Sequence, residues 1–392
     1  MRKAHFIARL HHIAEQYFIN SEGINFIVER RSVQHKRRNN MLISLCIIAY
    51  NEEGALARLF NDITAQSYPK DKTQLVLVND SSTDGTRRVM DDFAKSGGEY
   101  HSVVVVNCRK KLQAAAWNTA IMHADGDVII RLDAHSTIPT DFLEKNAEII
   151  KSGEYVCGGA RPTKAESETP WQLTLLAAED SMFGSSFASY RRESDSRRYV
   201  DSLFHGAYRR EVFENVGGFN EQLGRTEDNE LHYRIRQAGY KICCDPAVKS
   251  YQYIRSSLPN MIKQKFGNGL WVALTLGICP RCISIFHFAP LCLVLALAAF
   301  GIIAALGFSL PLILLLCIYA LFDFLITAGA FFSKKRYIQF LLLPFIFPLL
   351  HLSYGIGSVL GLLKLPFWAG KARRKSKRGI ERVKQKLRRE EL

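Results

Sequence analysis

Residues 127–136, DVIIRLDAHS, are the stretch that decides the fold. The apolar run DVII predicts a buried strand, and Asp133 and His135 follow where that strand ends. Alternate residues of an extended strand share one face, so an acid and an imidazole two residues apart can converge on one ligand. A strand that simply ends in a polar turn gives the same pattern, and the stretch alone leaves both interpretations open.

Three earlier apolar runs have the same form and extend the pattern into an α/β fold. They are LISLCIIAYNEE (42–53), QLVLVNDSS (74–82) and HSVVVVN (101–107). Each precedes a segment with helical features, and strands that alternate with helices at this spacing predict a mostly parallel sheet with helices on both faces.

Polar side chains gather at the predicted carboxyl ends of these strands. They are Tyr50, Asn51 and Glu52 after the first strand, Asn79 and Asp80 after the second, and Asp133 and His135 after the fourth. Ligands of such sheets bind beyond the carboxyl ends of the strands. Acids from three strand ends therefore favour one binding crevice over a set of unrelated turns.

The chain is basic, and its charge is concentrated at the two ends. Its 392 residues carry a formal net charge of +15, and their hydrophobic content of 48% excludes a disordered protein. Residues 1–40 form a basic N-terminal extension, and residues 364–392 form a basic tail. Basic arms can bind nucleic acid, but beside apolar spans they more often lie on anionic lipid. We therefore expect membrane lipid as a partner and no nucleic acid.

Three apolar stretches predict a multi-pass membrane protein. They cover residues 283–308, 310–332 and 338–363. The first two predict a helical hairpin, and Lys334, Lys335 and Arg336 follow it, so the positive-inside rule places its outer ends in the cytoplasm. The soluble part then faces the cytoplasm at the cell (inner) membrane, with residues 256–282 as an amphipathic segment at the interface.

The third apolar stretch carries conflicting signals, because a simple crossing would export the basic tail. Pro344 and Pro348 interrupt it, so a broken or re-entrant segment that returns the tail to the cytoplasm is the alternative to a full span. Residues 41–255 remain as the soluble domain.

The cysteines indicate a reducing compartment. The chain has nine of them, and no apolar run at its start marks a secretory signal. We therefore expect reduced thiols, including Cys279 and Cys282, whose C-x-x-C spacing has no second pair.

Four segments, taken in order, resemble one enzyme family. They are AYNEE (49–53), VNDSSTDGT (78–86), RLDAHS (131–136) and GGFNEQLGRTEDNEL (217–231). The family is the inverting nucleotide-sugar glycosyltransferases of family 2, and the resemblance runs from about residue 42 to residue 271. The branch of succinoglycan-type exopolysaccharide glucosyltransferases is most similar, since its metal motif looks like D-A-H. The resemblance implies a GT-A nucleotide-sugar-binding domain, followed by C-terminal transmembrane helices.

The resemblance also implies a binding pocket for the nucleotide of the donor. Asp80 would hydrogen-bond the base, and Ala49 and Tyr50 would line that pocket. Glu52 would sit at its edge.

The same resemblance assigns the metal and the chemistry. Asp133 would face the ribose and the metal, and His135 falls where most relatives have the metal-binding aspartate. Asp228, in TED, would be the base that deprotonates the acceptor hydroxyl. Glu227 and His205 are second-tier candidates.

The departure of a nucleoside diphosphate explains the expected cation. Negative charge grows on this leaving group as the glycosidic bond breaks, so the site needs a divalent metal. Mg²⁺ prefers oxygen ligands whereas imidazole suits Mn²⁺, so His135 favours Mn²⁺ over Mg²⁺. Lys111 and Arg255 can add positive charge at the diphosphate, or can be ordinary surface cations.

The expected function is inverting transfer of a sugar from a nucleotide-diphosphate donor, a UDP-sugar, to a lipid-linked saccharide in exopolysaccharide or capsule biosynthesis. Ser256 replaces the tryptophan of the Q-x-x-R-W motif of processive synthases, which favours addition of one sugar per encounter. A polyprenyl-phosphate sugar synthase is one alternative, with the same fold and anchor. A non-catalytic, membrane-tethered sugar-nucleotide-binding module is another, but it leaves the convergence of Asp80, Asp133 and Asp228 unexplained.

Overall fold

The computed structural model describes residues 41–181, 183–184, 195–332 and 337–389. The basic extension 1–40 and the cationic cluster Lys334, Lys335 and Arg336 lie outside the described residues. The orientation that was predicted from this cluster therefore stays a prediction.

The first half of the domain is a parallel α/β unit, as the sequence predicts. Its strands are β1 (Ile43–Ala49), β2 (Thr73–Asn79), β3 (Ser102–Asn107) and β4 (Val128–Asp133), in the parallel order β3-β2-β1-β4. The connecting helices are α1 (Glu53–Thr64), α2 (Thr86–Ser96) and α3 (Gln113–Met122). β2 and β4 are buried along their whole length, because helices cover both faces of the sheet.

The second half extends this sheet and adds a smaller one. Its elements are β5 (Ser136–Thr137), α4 (Phe142–Lys151), β6 (Val156–Ala160), β7 (Thr163–Lys164), α5 (Pro170–Asp180), β8 (Arg198–Tyr199), β9 (Ala207–Arg209), α6 (Arg210–Val216), α7 (Glu227–Gln237), β10 (Ile242–Lys249) and β11 (Tyr251–Tyr253). The large sheet continues from β4 as β9-β6-β10-β8, with β9 antiparallel to both of its neighbours. In the small sheet, β11 pairs with β5 so that Gln252 lies opposite Ser136. This pairing places residues 251–253 beside the end of β4.

The C-terminal part is helical and apolar, in agreement with the predicted membrane segments. Its helices are α8 (Leu258–Thr275), α9 (Ala289–Ala305), α10 (Leu310–Phe331) and α11 (Leu343–Arg389). Three segments are long and apolar enough to cross a membrane: Ile285–Ala305, Leu310–Phe331 and Ile338–Arg389. Ile302 of α9 and Phe324 of α10 are each 65% exposed, as lipid-facing side chains would be.

Helix α11 favours a continuous helix over the broken alternative for the third apolar segment, and the passage of this helix across the membrane stays a prediction. It runs without interruption from Leu343 to Arg389, with Pro348 inside it. Pro344 lies in its first turn, where a missing backbone N–H leaves no hydrogen bond unmade. The backbones of α8 and α11 approach closely, because Gly357 packs on Phe266 and Gly269 packs on Tyr354. The lack of a side chain at Gly269 and Gly357 thus permits the close packing of the two helices.

The basic tail forms the last part of α11 and packs on the α/β domain. Val383 and Leu387 are fully buried, in one hydrophobic cluster with Trp117 and Phe219. Arg382 adds an ion pair of 2.5 Å with Glu221. One helix therefore continues across the predicted boundary between residues 363 and 364.

The cysteine prediction is wrong at one position. Cys279 and Cys282 form a disulfide, with their Cα atoms 5.5 Å apart, which is within the range such a bond requires. The C-x-x-C spacing places the two thiols about one turn apart and makes this possible. The other seven cysteines, all within the described residues, are free.

The docking of the tail gives a test of the fold. Val383→Asp places a carboxylate in an apolar core without a partner, and we expect it to lower the free energy of unfolding by about 3 kcal/mol or more. Lys377→Asp, at an exposed position of the same helix, is the matched control and should change it by less than about 1 kcal/mol. Denaturant unfolding of the purified protein in detergent measures both. Equal, small effects would mean that the tail does not pack here in solution.

Candidate active site

The eight residues predicted to bind the donor and its metal line one cavity of about 520 Å³. This strand-end cavity lies beyond the carboxyl ends of β1, β2 and β4. Its predicted members are Ala49, Tyr50, Glu52, Asp80, Lys111, Asp133, His135 and Arg255. The parallel register of the strands brings them together, because β1 aligns Ala49 with Asn79 and Ile48 with Asp133.

A second cavity of about 310 Å³ adjoins the first and contains Asp228 and Glu227. The two cavities share Gln113, Asp133, His135 and Arg255. We call the second one the membrane-side cavity, because its wall includes four residues of α8, His287 at the start of the first apolar segment, and Tyr354 of α11.

Asp133 presents an ionised carboxylate to both cavities. The residue is 5% exposed, and its Oδ1 atom has no hydrogen-bond partner among the described residues. Burial alone would raise the pKa of Asp133, but the charge of Arg131 holds this pKa below its usual value. A buried anion with an open oxygen is suited to bind a cation or a hydroxyl group.

His135 is held at both ring nitrogens. Its Nδ1 lies 3.1 Å from Oε1 of Glu52, and its Nε2 lies 2.5 Å from the side-chain nitrogen of Gln252. A carboxylate can only accept, so Nδ1–H donates to Glu52. The amide N–H of Gln252 can only donate, so Nε2 accepts from it. An imidazole that binds a metal through one ring nitrogen commonly donates a hydrogen bond from the other nitrogen to a carboxylate.

These contacts test whether a divalent metal fits. Among the described residues, no three His, Cys, Asp or Glu side chains are grouped closely enough to hold a metal by themselves. Asp133 and His135 can supply two ligands if the metal takes the place of the Gln252 amide at Nε2 of His135. A bound ligand must provide the rest, as a diphosphate can.

Asp80 forms a buried part of the wall of the strand-end cavity. Asp80 is 7% exposed, and its Oδ1 atom also has no hydrogen-bond partner in the described part of the chain. Burial raises the pKa of Asp80, against hydrogen bonds from Cys108 and from the backbone of Leu112 and Lys111. Tyr50 is half exposed, and the Lys111 ammonium lies 6.0 Å from its ring centre.

Backbone strain is concentrated at the two cavities. In the described residues, four non-glycine residues have positive φ: Asn51 at 55°, Ser81 at 61°, Lys111 at 47° and Thr226 at 66°. Each lines a cavity or adjoins a residue that does. Such conformations are costly for residues with a Cβ and are commonly retained where they orient functional groups.

The acids of the TED segment differ in environment. Glu227 is 4% exposed, and burial together with the neighbouring Asp228 raises its pKa. Asp228 is partly exposed in the membrane-side cavity, where its Oδ1 accepts a 2.8 Å hydrogen bond from the backbone of Asn229. Glu230 is bound by Arg234 at 2.7 Å and is structural. Asp228 is therefore the accessible carboxylate of the three.

His205 does not line either cavity. It is buried between Ser136 and Ser250, whose hydroxyls lie 3.1 and 2.8 Å from its ring nitrogens. Burial lowers its pKa to about 3, so the ring is neutral. It holds Ser136, which follows the site residue His135, next to Ser250.

The sequence analysis missed several polar residues of the site. Gln113, Arg131, Arg161, Arg225 and Gln252 all line the membrane-side cavity. Arg131 was visible in the quoted stretch as a cation inside an apolar strand. It is 2% exposed, with its guanidinium 4.7 Å from the ring centre of Trp117 and 3.9 Å from Glu227.

Comparison with known proteins agrees with this geometry. The family model described as Glycosyl transferase family 2 matches residues 44–217. EpsE of Bacillus subtilis (strain 168) is 32% identical over 236 residues, which cover 54% of this chain and 82% of that protein. The chain belongs to glycosyl transferase family 2.

Two further similarities support the predicted branch and fold of this family 2 member. The succinoglycan biosynthesis protein ExoA of Rhizobium meliloti (strain 1021) is 28% identical over 237 residues, 59% of this chain and 68% of ExoA. The solved structure of the mannosyltransferase PcManGT from Pyrobaculum calidifontis, in complex with GDP-Man and Mn²⁺, superposes with a TM-score of 0.57. It is 20% identical, and the match covers 82% of this chain and 87% of that one. The predicted GT-A fold is confirmed.

The raised pKa of Glu227 should make the stability of the folded protein depend on pH. Because the folded protein binds this proton more tightly than the unfolded chain, the free energy of unfolding should fall as pH rises from 4.5, the ordinary value, through the raised pKa. Glu227→Gln cannot titrate, so the wild type should lose more than about 1 kcal/mol relative to this variant. Unfolding in chelator from pH 4.5 to pH 8 measures the difference. Parallel curves for the two proteins would contradict the account, and Glu148→Gln, at an exposed position, is the control.

Proposed function

We propose that this glycosyltransferase moves a sugar from a nucleoside-diphosphate donor in the strand-end cavity to an acceptor in the membrane-side cavity. The observation that carries the proposal is that the two cavities meet at Asp133 and His135. The bond that breaks and the base that assists thus lie in adjoining spaces. A non-catalytic binding module would not need the second cavity and its carboxylates.

The donor is best accounted for as a UDP-sugar. Asp80 has an open carboxylate oxygen that can accept from the N–H of a uracil, with Ala49 and Tyr50 beside the base. Asp133 suits the ribose hydroxyls, and Lys111 and Arg255 suit the diphosphate. Glu52 acts through His135, which it orients.

We propose a divalent metal held by Asp133 and His135, with Mn²⁺ preferred over Mg²⁺. When bound, such an ion neutralises the charge that develops on the leaving diphosphate. The imidazole supports the preference for Mn²⁺, because Mg²⁺ favours oxygen ligands alone.

Asp228 is proposed as the general base of an inverting transfer. The acceptor oxygen forms a bond to the anomeric carbon while the bond from that carbon to the diphosphate oxygen breaks. The proton of the acceptor hydroxyl passes to the Asp228 carboxylate, and the electron pair of the broken bond leaves with the nucleoside diphosphate. A single displacement inverts the anomeric configuration.

The acceptor is proposed to be a lipid-linked saccharide used in exopolysaccharide or capsule synthesis. The wall of the membrane-side cavity includes His287 and Tyr354, which lie in segments apolar enough to cross a membrane, and residues of α8, which packs on α11. The similarity to a succinoglycan biosynthesis protein supports the same class of product. A polyprenyl phosphate that is itself the acceptor is the second candidate, and it would need little help from a base.

For the location we propose the cell (inner) membrane, with the catalytic half in the cytoplasm. Helix α11 shares a hydrophobic cluster with this half at Phe347, together with Leu175, and again at Leu387, together with Trp117. A helix that touches the soluble half near both of its ends supports a segment that does not carry the tail across the bilayer. The tail and the active site would then share one compartment.

Asp228→Asn tests the proposed reaction. The substitution keeps the size and much of the hydrogen bonding but removes the proton acceptor, so transfer should fall about 10² to 10⁴-fold. Nucleotide-sugar binding should stay nearly constant, because Asp228 does not line the strand-end cavity. The measurement is sugar transfer by purified protein with a panel of lipid-linked acceptors, beside a donor-binding titration.

Asp92→Asn, at a surface ion pair with Lys95, is the matched control and should retain full activity. Transfer by Asp228→Asn at the wild-type rate would remove this residue from the mechanism. Joint loss of donor binding and transfer would assign it a structural role instead.

A further inference from the structure

The membrane-side cavity carries more positive than negative charge. Five cationic side chains line it, Arg131, Arg161, Arg225, Arg255 and Lys265, against three acids, Asp133, Glu227 and Asp228. A neutral saccharide hydroxyl would not need such an excess of cations.

Two of these cations are already compensated. Arg131 lies 3.9 Å from Glu227, and Lys265 forms an ion pair of 2.9 Å with Glu179. By contrast, neither Arg225 nor Arg255 forms an ion pair with a carboxylate in the described ranges, 41–181, 183–184, 195–332 and 337–389. The two arginines also repel each other, and this repulsion adds to burial in lowering the pKa of Arg225.

Arg225 is held in place before any ligand binds. Its Nη1 donates a 2.8 Å hydrogen bond to Asn268 of α8. The side chain passes over Gly267, where an added Cβ would lie 3.2 Å from the Arg225 Nε. One edge of the guanidinium is thus fixed by α8, and its other N–H groups are available to an anion.

The position of Arg225 separates it from the donor. It lines the membrane-side cavity and not the strand-end cavity, whereas Arg255 lines both. The same cavity is bordered by His287, in the segment Ile285–Ala305 that can cross a membrane. An anion bound by Arg225 therefore lies near the level where that segment would enter the bilayer.

We propose that Arg225, assisted by Arg255, binds a phosphate group of the lipid-linked acceptor. This rests on the proposed transfer function and specifies its acceptor: a phosphate or diphosphate ester on a lipid, not a neutral glycolipid. A guanidinium binds two phosphate oxygens at once, which would fix the lipid end of the acceptor. Asp228, three residues along the chain in the same cavity, would then meet the sugar end.

Binding of simple lipid phosphates tests this assignment. Full-length protein in detergent is saturated with UDP and Mn²⁺ to fill the strand-end cavity, and is then titrated with farnesyl diphosphate, inorganic pyrophosphate or farnesol. We expect farnesyl diphosphate to bind more tightly than the other two. Arg225→Gln should weaken it about tenfold or more, as loss of a charge-assisted hydrogen bond implies, and Arg225→Lys should restore part of the affinity.

Arg87→Gln on α2, whose native arginine pairs with Asp91 and lines neither cavity, is the matched control and should leave the affinity unchanged. Affinity within twofold of the wild type in Arg225→Gln would overturn the proposal. Equal binding of pyrophosphate and farnesyl diphosphate would overturn the lipid source and indicate a soluble phosphate. UDP affinity measured on each variant reports folding, and absence of UDP binding to the wild type would instead refute the proposed function.

Discussion

The parallel pairing of β1 with β2 and β4 is the constraint on which the site depends. These strands are buried on both faces, so their backbone groups must be satisfied within the sheet and polar side chains are confined to the strand ends. Because parallel strands end at one edge, Ala49, Asp80 and Asp133 converge there. The small sheet, the TED segment (226–228) and α8 then enclose the space beyond that edge.

The site is kept in a state that costs stability. Asp80 and Asp133 each bury an oxygen without a hydrogen-bond partner in the described structure, and four residues around the cavities have left-handed backbone. Packing elsewhere offsets this cost, including the apolar stripe of α11 that ends in Val383 and Leu387. Glu221 adds to this contact, because it joins Arg382 of α11 to Lys110, the neighbour of the cavity residue Lys111.

Much of this architecture could be predicted from local sequence. Apolar runs identify the strands, and five of the seven polar residues named after them meet in the strand-end cavity: Tyr50, Glu52, Asp80, Asp133 and His135. The cationic residues of the second cavity could not be found in this way, because Arg225 becomes part of a site only when α8 folds over it. The unbroken course of α11 past Pro348 likewise depends on tertiary packing against α8, which overrides the local preference for a break.

The central claim is that the strand-end cavity binds a nucleoside diphosphate with a divalent metal. Calorimetric titration of UDP into the purified wild-type protein, in Mn²⁺, in Mg²⁺ and in chelator, tests it most directly. The account predicts one saturable site, tightest with Mn²⁺, weaker with Mg²⁺ and weakest in chelator. Absence of saturable binding in all three conditions, for UDP and for GDP alike, would contradict it.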